Sequence, residues 1–247
     1  LQVAKELHDE LEKTFSNVDG EMPFVRRAPK ATREQWRKDG IMPRGAMVEV
    51  MELMSRTHIG CDQDYNNLMK QIARTALADG WGGSMVATEL SDIMFGTPSP
   101  TLADVNMGVL KEDHVNIIVH GHEPAMFEGM LMAVNDPFFI NEAKAKGAKG
   151  INLVGMCCSG AEMMSRHGVP HAGSFGSTEA VIVTGAVDAM VVDIQCIKQG
   201  LAAVAKCYDT HLITTNPRAH IEGATHIEFD ERDPRNCTDA VLSKAIA

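Results

Sequence analysis

Apolar residues in the first part of the chain recur at the spacing of one helix face. Residues 2–15 form an amphipathic pattern, and the apolar positions in the stretch 62–79 follow the 3.6-residue period of an α-helix. A glycine-rich run at 80–83 is predicted to break the chain before a further helix over 85–95. We therefore predict a helical domain over residues 1–112.

From residue 113 the pattern changes to short apolar runs rich in β-branched residues, separated by helical stretches. Such runs predict buried strands at 115–119, 150–154, 188–194, 211–215 and 226–229. Helices are predicted between and after them, at 123–146, 161–167, 178–184, 201–207 and 236–246. Alternating strands and helices are typical of a parallel sheet with right-handed crossovers. The predicted fold class is α/β, a helical half followed by a Rossmann-like domain over 113–247.

Composition narrows the classes of partner. The chain of 247 residues is 45% hydrophobic and 23% charged, with a formal net charge of −10. This acidic balance disfavours nucleic acid and anionic membranes as partners. No apolar run approaches the roughly 20 residues of a membrane span, and the amino-terminal residues do not resemble a signal peptide. Because the first residue is Leu1 and not Met, we expect an internal segment of a longer protein or a trimmed chain.

Cysteine usage favours a reduced, cytoplasmic setting. The six cysteines form no CxxC pair, so neither a self-contained zinc site nor a secreted disulfide scaffold is expected. We interpret Cys61, Cys207 and Cys237 as small buried packing residues. The first predicted strand is not followed by GxGxxG, so a dinucleotide is not expected either.

Chemistry-bearing side chains follow three of the predicted strands. The first strand ends in HGHEP at 120–124, the second in a double cysteine at 157–158, and the third in QCI at 195–197. Ligands of open parallel sheets bind beyond the carboxyl ends of the strands. Imidazole with thiolate favours iron–sulfur, copper(I), zinc or nickel over magnesium or calcium. A metal site is one interpretation, and a nucleophilic cysteine with a histidine base or a redox pair of thiols stays open.

At these residues the sequence resembles the catalytic subunit of anaerobic nickel–iron–sulfur carbon monoxide dehydrogenases. The resemblance covers nearly the whole chain from about residue 40, and HGHEP, the double cysteine and QCI in this order are together specific to that family. Hybrid-cluster proteins, the hydroxylamine reductases, resemble these runs less well. The matching runs are 56–60, 76–81, 95–98, 109–113, 115–124, 155–160, 184–193, 195–197 and 223–230.

The resemblance implies a nickel–iron–sulfur cluster at which carbon monoxide and water are converted reversibly to carbon dioxide, protons and two electrons. It implies that His122 binds the unique iron, with His120 as the alternative. It also implies that Cys158 and Cys196 bind the cluster, with Cys157 as the alternative to Cys158.

Further roles and partners are implied by the same resemblance. Asp79, in the run ADGW, is implied to lie near the site and to help in proton transfer. The family also carries electron-transfer [4Fe–4S] clusters, whose ligands are not expected in this chain. A redox protein such as ferredoxin, a second copy in a homodimer and an acetyl-CoA synthase are the implied partners.

The chain also departs from the family. The family's further cluster cysteines, its catalytic lysine and its catalytic histidine have no counterpart in the sequence, and Lys198 is an unexpected charge beside Cys196. We therefore expect a chain that folds but is inactive by itself. Two alternatives remain: a non-catalytic Rossmann-like module for docking or oligomerisation, and a relative of the hybrid-cluster hydroxylamine reductases.

Overall fold

The structure, a computed structural model, describes residues 2–195 and 197–247. The chain divides into two units, Leu1–Thr97 and Pro98–Ala247. This boundary lies earlier than the predicted one at residue 112, because the segment 98–112 belongs with the second unit. Asn116, on the first strand of that unit, explains why: its Oδ1 accepts a hydrogen bond from the backbone N–H of Lys111 at 3.0 Å.

The first unit is helical, as predicted. Its helices are α1 Gln2–Ser16, α2 Lys30–Asp39, α3 Ala46–Arg56, α4 Tyr65–Asp79 and α5 Met85–Phe95. Helix α4 begins three residues later than the pattern predicted, because Asp64 caps it by accepting a hydrogen bond from the backbone N–H of Asn66 at 2.9 Å. Buried apolar residues of α1, of the turn Pro23–Arg27 and of α5 pack together in a small core.

The glycine-rich run after α4 does not break the helix, so that prediction was wrong. Gly80–Ser84 forms a π-helical turn that continues from α4 directly into α5. The buried Gly82 lies close to Thr14 of α1, so the small residue permits close packing here. A π turn accommodates an extra residue without ending the helix. Asp79 therefore lies within a continuous helix and does not leave it.

A buried carboxylate ties α3 to α4. Glu49 accepts hydrogen bonds from the Arg44 guanidinium at 2.9 Å and from the Gln71 amide at 2.9 Å, and Arg74 lies 3.3 Å away. Burial alone would raise the pKa of Glu49, but the hydrogen bonds from Arg44 and Gln71 outweigh it, and the pKa is lowered. The helical unit thus contains an ionised carboxylate inside a cage of donors.

A parallel sheet forms the centre of the second unit. Its six strands among the described residues are ordered β3-β2-β1-β4-β5-β6, the order of doubly wound nucleotide-binding folds, and the predicted α/β class is confirmed. The third strand was not predicted. The strands are β1 Val115–Gly121, β2 Ile151–Met156, β3 His171–Gly173, β4 Ala189–Val192, β5 His211–Thr214 and β6 Thr225–His226.

Helices cover both faces of the sheet. Side chains of α6, α7, α8 and α11 pack on one face and those of α9 and α10 on the other. These helices are α6 Pro124–Ala133, α7 Pro137–Ala145, α8 Cys157–His167, α9 Thr178–Val183, α10 Leu201–Cys207 and α11 Pro234–Ile246. No helix among the described residues is long and apolar enough to cross a membrane.

Two helices replace the single helix that was predicted over 123–146. Asp136 caps α7 by accepting a hydrogen bond from the backbone N–H of Phe138 at 3.0 Å, and Pro137 occupies the first turn. Proline at this position starts a helix because its missing N–H has no partner to lose there. The chain therefore ends α6 at Ala133 and begins α7 at Pro137.

Candidate metal centre

Two of the predicted ligands lie at the same edge of the sheet, on neighbouring strands. Beyond the paired residues of β1 and β2, Gly121 forms a parallel bridge with Cys157. His122 directly follows Gly121, and Cys158 directly follows Cys157. The edge is the carboxyl end of the sheet, beside the switch point between β1 and β4 where such folds bind their ligands.

Cys196, the third predicted ligand, lies outside the described residues. Its described neighbours, Gln195 and Ile197, follow β4, which pairs with β1 on the side opposite β2. The chain therefore reaches the same edge of the sheet on both sides of β1.

Exposure distinguishes the two histidines of HGHEP. His120 is fully buried within β1, where it pairs with Met156 and Val192 of the neighbouring strands. His122 lies just beyond the strand and is exposed. A metal at the sheet edge is accessible to an exposed imidazole, so the geometry favours His122 over His120 as the ligand. The assignment stays a prediction.

The double cysteine begins helix α8 in a strained conformation. Cys157 has a φ of 58°, which is uncommon for a residue with a Cβ atom. Its carbonyl oxygen lies 3.0 Å from Nε2 of His171, while Nδ1 of His171 accepts a hydrogen bond from the backbone N–H of Gly173 at 3.2 Å. Because Nδ1 accepts, Nε2 carries the proton and donates to Cys157. Cys158, one residue further, is exposed.

A buried carboxylate without a predicted role joins these elements. Asp193 follows β4 and is fully buried. Its Oδ1 accepts hydrogen bonds from the backbone N–H of Ile194 and, at 2.7 Å, from that of His122. Its Oδ2 accepts from the hydroxyl of Ser159 at 3.1 Å. One side chain thus contacts the end of β1, the end of β4 and the first turn of α8.

Burial raises the pKa of Asp193 to about 7, although the backbone N–H groups of Ile194 and His122 act in the opposite direction. The sequence carries one signal for this residue: an acidic side chain placed directly after a run of buried apolar residues, which is rarely found without partners. The identity of those partners required the structure.

Glu123 is a second carboxyl group at this edge. It is half-buried, and desolvation raises its pKa, with the charge of Glu231 acting in the same direction and a hydrogen bond from Asn216 opposing it. Asn216 follows β5 and its amide lies 3.5 Å from Glu123 Oε2. The edge therefore holds two carboxyl groups that keep a proton to higher pH than an exposed carboxyl does.

Lys198, which departs from the family pattern, is directed to α9. Its Nζ lies 2.5 Å from Glu179 Oε2 and 4.4 Å from the centre of the Phe175 ring. The ion pair and the ring both compensate the ammonium charge. The unexpected lysine is thus accommodated within the second unit.

The cysteines interpreted as packing residues divide into two groups. Cys237 is buried, and desolvation raises the pKa of its thiol to about 12. Cys61 and Cys207 are exposed, so the interpretation was wrong for them. Cys207 ends α10 and Cys61 lies in the loop after α3, where no core covers them.

The described residues do not by themselves complete a metal site. No group of three or more histidine, cysteine, aspartate or glutamate side chains among residues 2–195 and 197–247 is arranged to hold a metal ion. None of the five described cysteines forms a disulfide. Asp79, the predicted proton-transfer residue, belongs to the first unit and is exposed.

Comparison with known proteins identifies the family to which the chain is similar. The model of the Prismane/CO dehydrogenase family matches residues 1–247. The chain is 45% identical over 245 residues to carbon monoxide dehydrogenase 1 of Methanosarcina mazei, covering 99% of this chain and 39% of that protein. It is 43% identical over 232 residues to the carbon monoxide dehydrogenase/acetyl-CoA synthase subunit beta of Moorella thermoacetica, covering 93% and 34%.

A solved structure gives the same result. The as-isolated, nickel-free carbon monoxide dehydrogenase of Thermococcus sp. AM4 is similar with a TM-score of 0.91 and 48% identity, over 99% of this chain and 39% of that one. The chain thus spans between about one third and two fifths of the length of these relatives. On the family match and these identities, the chain belongs to the Prismane/CO dehydrogenase family.

Proposed function

We propose that this chain supplies His122, Cys158 and Cys196 to a nickel–iron–sulfur cluster in a carbon monoxide dehydrogenase. When bound, the cluster supplies the redox centre for the reversible oxidation of carbon monoxide with water to carbon dioxide, two protons and two electrons. The observation that carries the proposal is the backbone bridge between Gly121 and Cys157, because His122 and Cys158, both exposed, directly follow these paired residues at one sheet edge.

The chemistry of these side chains fits the cluster. Imidazole and thiolate are ligands that nickel and iron accept. Cys158 lies in the first turn of α8 and is exposed, so its sulfur is accessible to a metal. Asp193 accepts a hydrogen bond from the backbone N–H of His122, so a contact with another segment fixes the position of this proposed ligand.

We propose that Asp79 takes part in the proton transfer of the reaction, as the family resemblance implies. Its exposure on the helix leaves its carboxylate accessible. The relatives that are similar to this chain in sequence are named carbon monoxide dehydrogenases, which argues against a hydroxylamine reductase. A docking module without a cluster does not require an exposed imidazole and an exposed thiol at one sheet edge.

The partners follow from the same proposal. We propose a cytoplasmic homodimer that passes electrons through [4Fe–4S] clusters, with ligands outside this chain, to a redox protein such as ferredoxin. The similarity to a subunit of a carbon monoxide dehydrogenase/acetyl-CoA synthase supports an acetyl-CoA synthase as a further partner.

The test is a chimera in which this chain replaces the matching segment of the Methanosarcina mazei relative. Purified without oxygen, the chimera is expected to contain nickel and iron and to reduce a dye with carbon monoxide. His122→Ala and Cys158→Ala should lose most of this metal, whereas Cys207→Ala, an exposed cysteine of the same unit, should not. Unchanged metal in the first two variants would refute the assignment, and iron without nickel would point to a hydroxylamine reductase.

A further inference from the structure

We propose that Asp193 is a positioning residue of this metal centre, whose buried carboxylate fixes the backbone beside the predicted ligands by hydrogen bonds. The inference rests on the proposed function for the identity of the ligands. It concerns a residue that binds no metal itself and acts through the chain segments that do.

The contacts of Asp193 reach each of these segments. Its Oδ1 accepts from the backbone N–H of His122 itself, and its Oδ2 accepts from Ser159, the residue after Cys158. Its own backbone N–H donates to the carbonyl of His120 at 3.1 Å. The third segment, which leads to Cys196, begins at Ile194, whose N–H also donates to Oδ1.

The fit around Asp193 is tight enough to set these positions. Gly121 has a φ of 142°, and a Cβ atom at this residue would lie 1.6 Å from Asp193 Oδ1. The carboxylate therefore occupies the space that a side chain at 121 would need. Only a glycine lets the loop approach closely enough for the N–H of His122 to reach the carboxylate.

The hydrogen bonds, and not the charge, are the feature that the proposal requires. An asparagine at 193 can present its oxygen to the two backbone N–H groups and its amide to the Ser159 hydroxyl, which is able to accept. An alanine can do neither. Metal ligands that lose their outer support bind about 10- to 100-fold more weakly, so the two substitutions should separate clearly.

The first experiment measures nickel and iron in the chimera described above. Asp193→Asn is expected to keep the metal content of the parent within about twofold, and Asp193→Ala to lower it about tenfold. Equal metal content in both variants would overturn the proposal, and so would an equally large loss in both, because a loss in Asp193→Asn would show that the charge is what matters.

The second experiment needs no metal and uses the 247-residue chain. The rate at which the backbone N–H of His122 exchanges with deuterium reports whether Asp193 still accepts its hydrogen bond. Asp193→Ala should speed this exchange about tenfold, whereas Asp193→Asn, which keeps the acceptor, should leave it within about twofold, with amides of the first unit as unchanged internal controls. An unchanged rate at His122 in a folded Asp193→Ala chain would overturn the proposal.

The two readouts keep the two proposals apart. If the parent chimera holds no nickel or iron, the proposed function fails, while the exchange rates still decide whether Asp193 positions the backbone of His122. If Asp193→Ala does not fold, Ser159→Ala removes the hydrogen bond that orients the carboxylate and should also speed the exchange at His122, and an unchanged rate there would overturn the proposal.

Discussion

The hydrogen bond from His171 to Cys157 offers a direct test of how the fold holds the double cysteine. His171 is buried on β3, and its Nε2 donates to the carbonyl of Cys157 at 3.0 Å. Cys157 has a φ of 58°, a conformation that costs about 1–2 kcal/mol for a residue with a Cβ atom. We predict that His171 stabilises this conformation, and that its loss costs more while position 157 is strained than when a glycine stands there.

The magnitude follows from the contacts that each substitution removes. His171→Met fills a similar volume and donates no hydrogen bond, so it should lose about 1 kcal/mol for the bond and about 1 kcal/mol for support of the strained residue. His171→Gln keeps a donor near the position of Nε2 and should lose less than about 1 kcal/mol. In a unit of this size, a loss of about 2 kcal/mol lowers the melting temperature by roughly 4–8 °C.

The assay is urea unfolding of the metal-free chain in a double-mutant cycle with Cys157→Gly. Glycine adopts a positive φ without steric cost, so in that background His171→Met should lose about 1 kcal/mol less than in the parent. Additive free energies would refute the coupling. So would equal losses for His171→Met and His171→Gln, because the donor would then contribute nothing.

Three further predictions concern other parts of the chain. Glu49→Gln should lower the free energy of unfolding by about 3 kcal/mol near neutral pH, because it leaves Arg44 and Arg74 without their buried carboxylate. The pKa of Glu49 is lowered in the folded state, so the stability that its charge contributes is present above the unfolded pKa of about 4.3 and is lost as the pH falls through the folded pKa. The acid-unfolding curves of the parent and of Glu49→Gln should therefore converge. Asp79→Asn in the chimera should slow carbon monoxide oxidation with metal content unchanged, whereas Asp39→Asn, on the exposed face of α2, should leave the rate unaltered. The thiol of Cys237, whose pKa burial raises to about 12, should resist iodoacetamide at pH 8 while Cys61 reacts; equal rates would contradict its burial.

The parts of the fold that could be predicted are those whose signal is local. The apolar runs of β1 and β4 are buried on both faces, so they are continuous and rich in β-branched residues, and the sequence alone predicts them as strands. Strand β3 has three residues, His171–Gly173, and is a strand only because β2 lies beside it. The break between α6 and α7 has a local signal in Asp136 and Pro137, and the prediction overlooked it.

The candidate site divides in the same way. The location of His122 and Cys158 at one edge could be predicted because each follows a strand directly, and the topology of parallel sheets brings strand ends together, whereas their role as ligands stays a prediction from the family resemblance. The role of Asp193 could not be predicted, because its oxygens accept from a backbone N–H 71 residues away in sequence, at His122, and from a hydroxyl 34 residues away, at Ser159. Side-chain type predicts which groups bind a metal, but what holds those groups depends on contacts between distant segments.

The backbone just before each predicted ligand has one property in common. Gly121, Cys157 and Gln195 precede His122, Cys158 and Cys196, and all three have a positive φ, of 142°, 58° and 60°. Among residues 2–195 and 197–247, Asp209 is the one other residue with a side chain that has a positive φ.

A strand that continued beyond its partners would keep alternating its side chains between the two faces of the sheet, under the flanking helices. A positive φ turns the chain out of that alternation, and the two described residues that follow such a turn here, His122 and Cys158, are exposed. The conformation is unfavourable for residues with a Cβ atom and persists where the surroundings impose it, as His171 does at Cys157. At position 121 the surroundings go further: Asp193 fills the place of a Cβ atom, and glycine is the one residue that satisfies both the turn and the carboxylate.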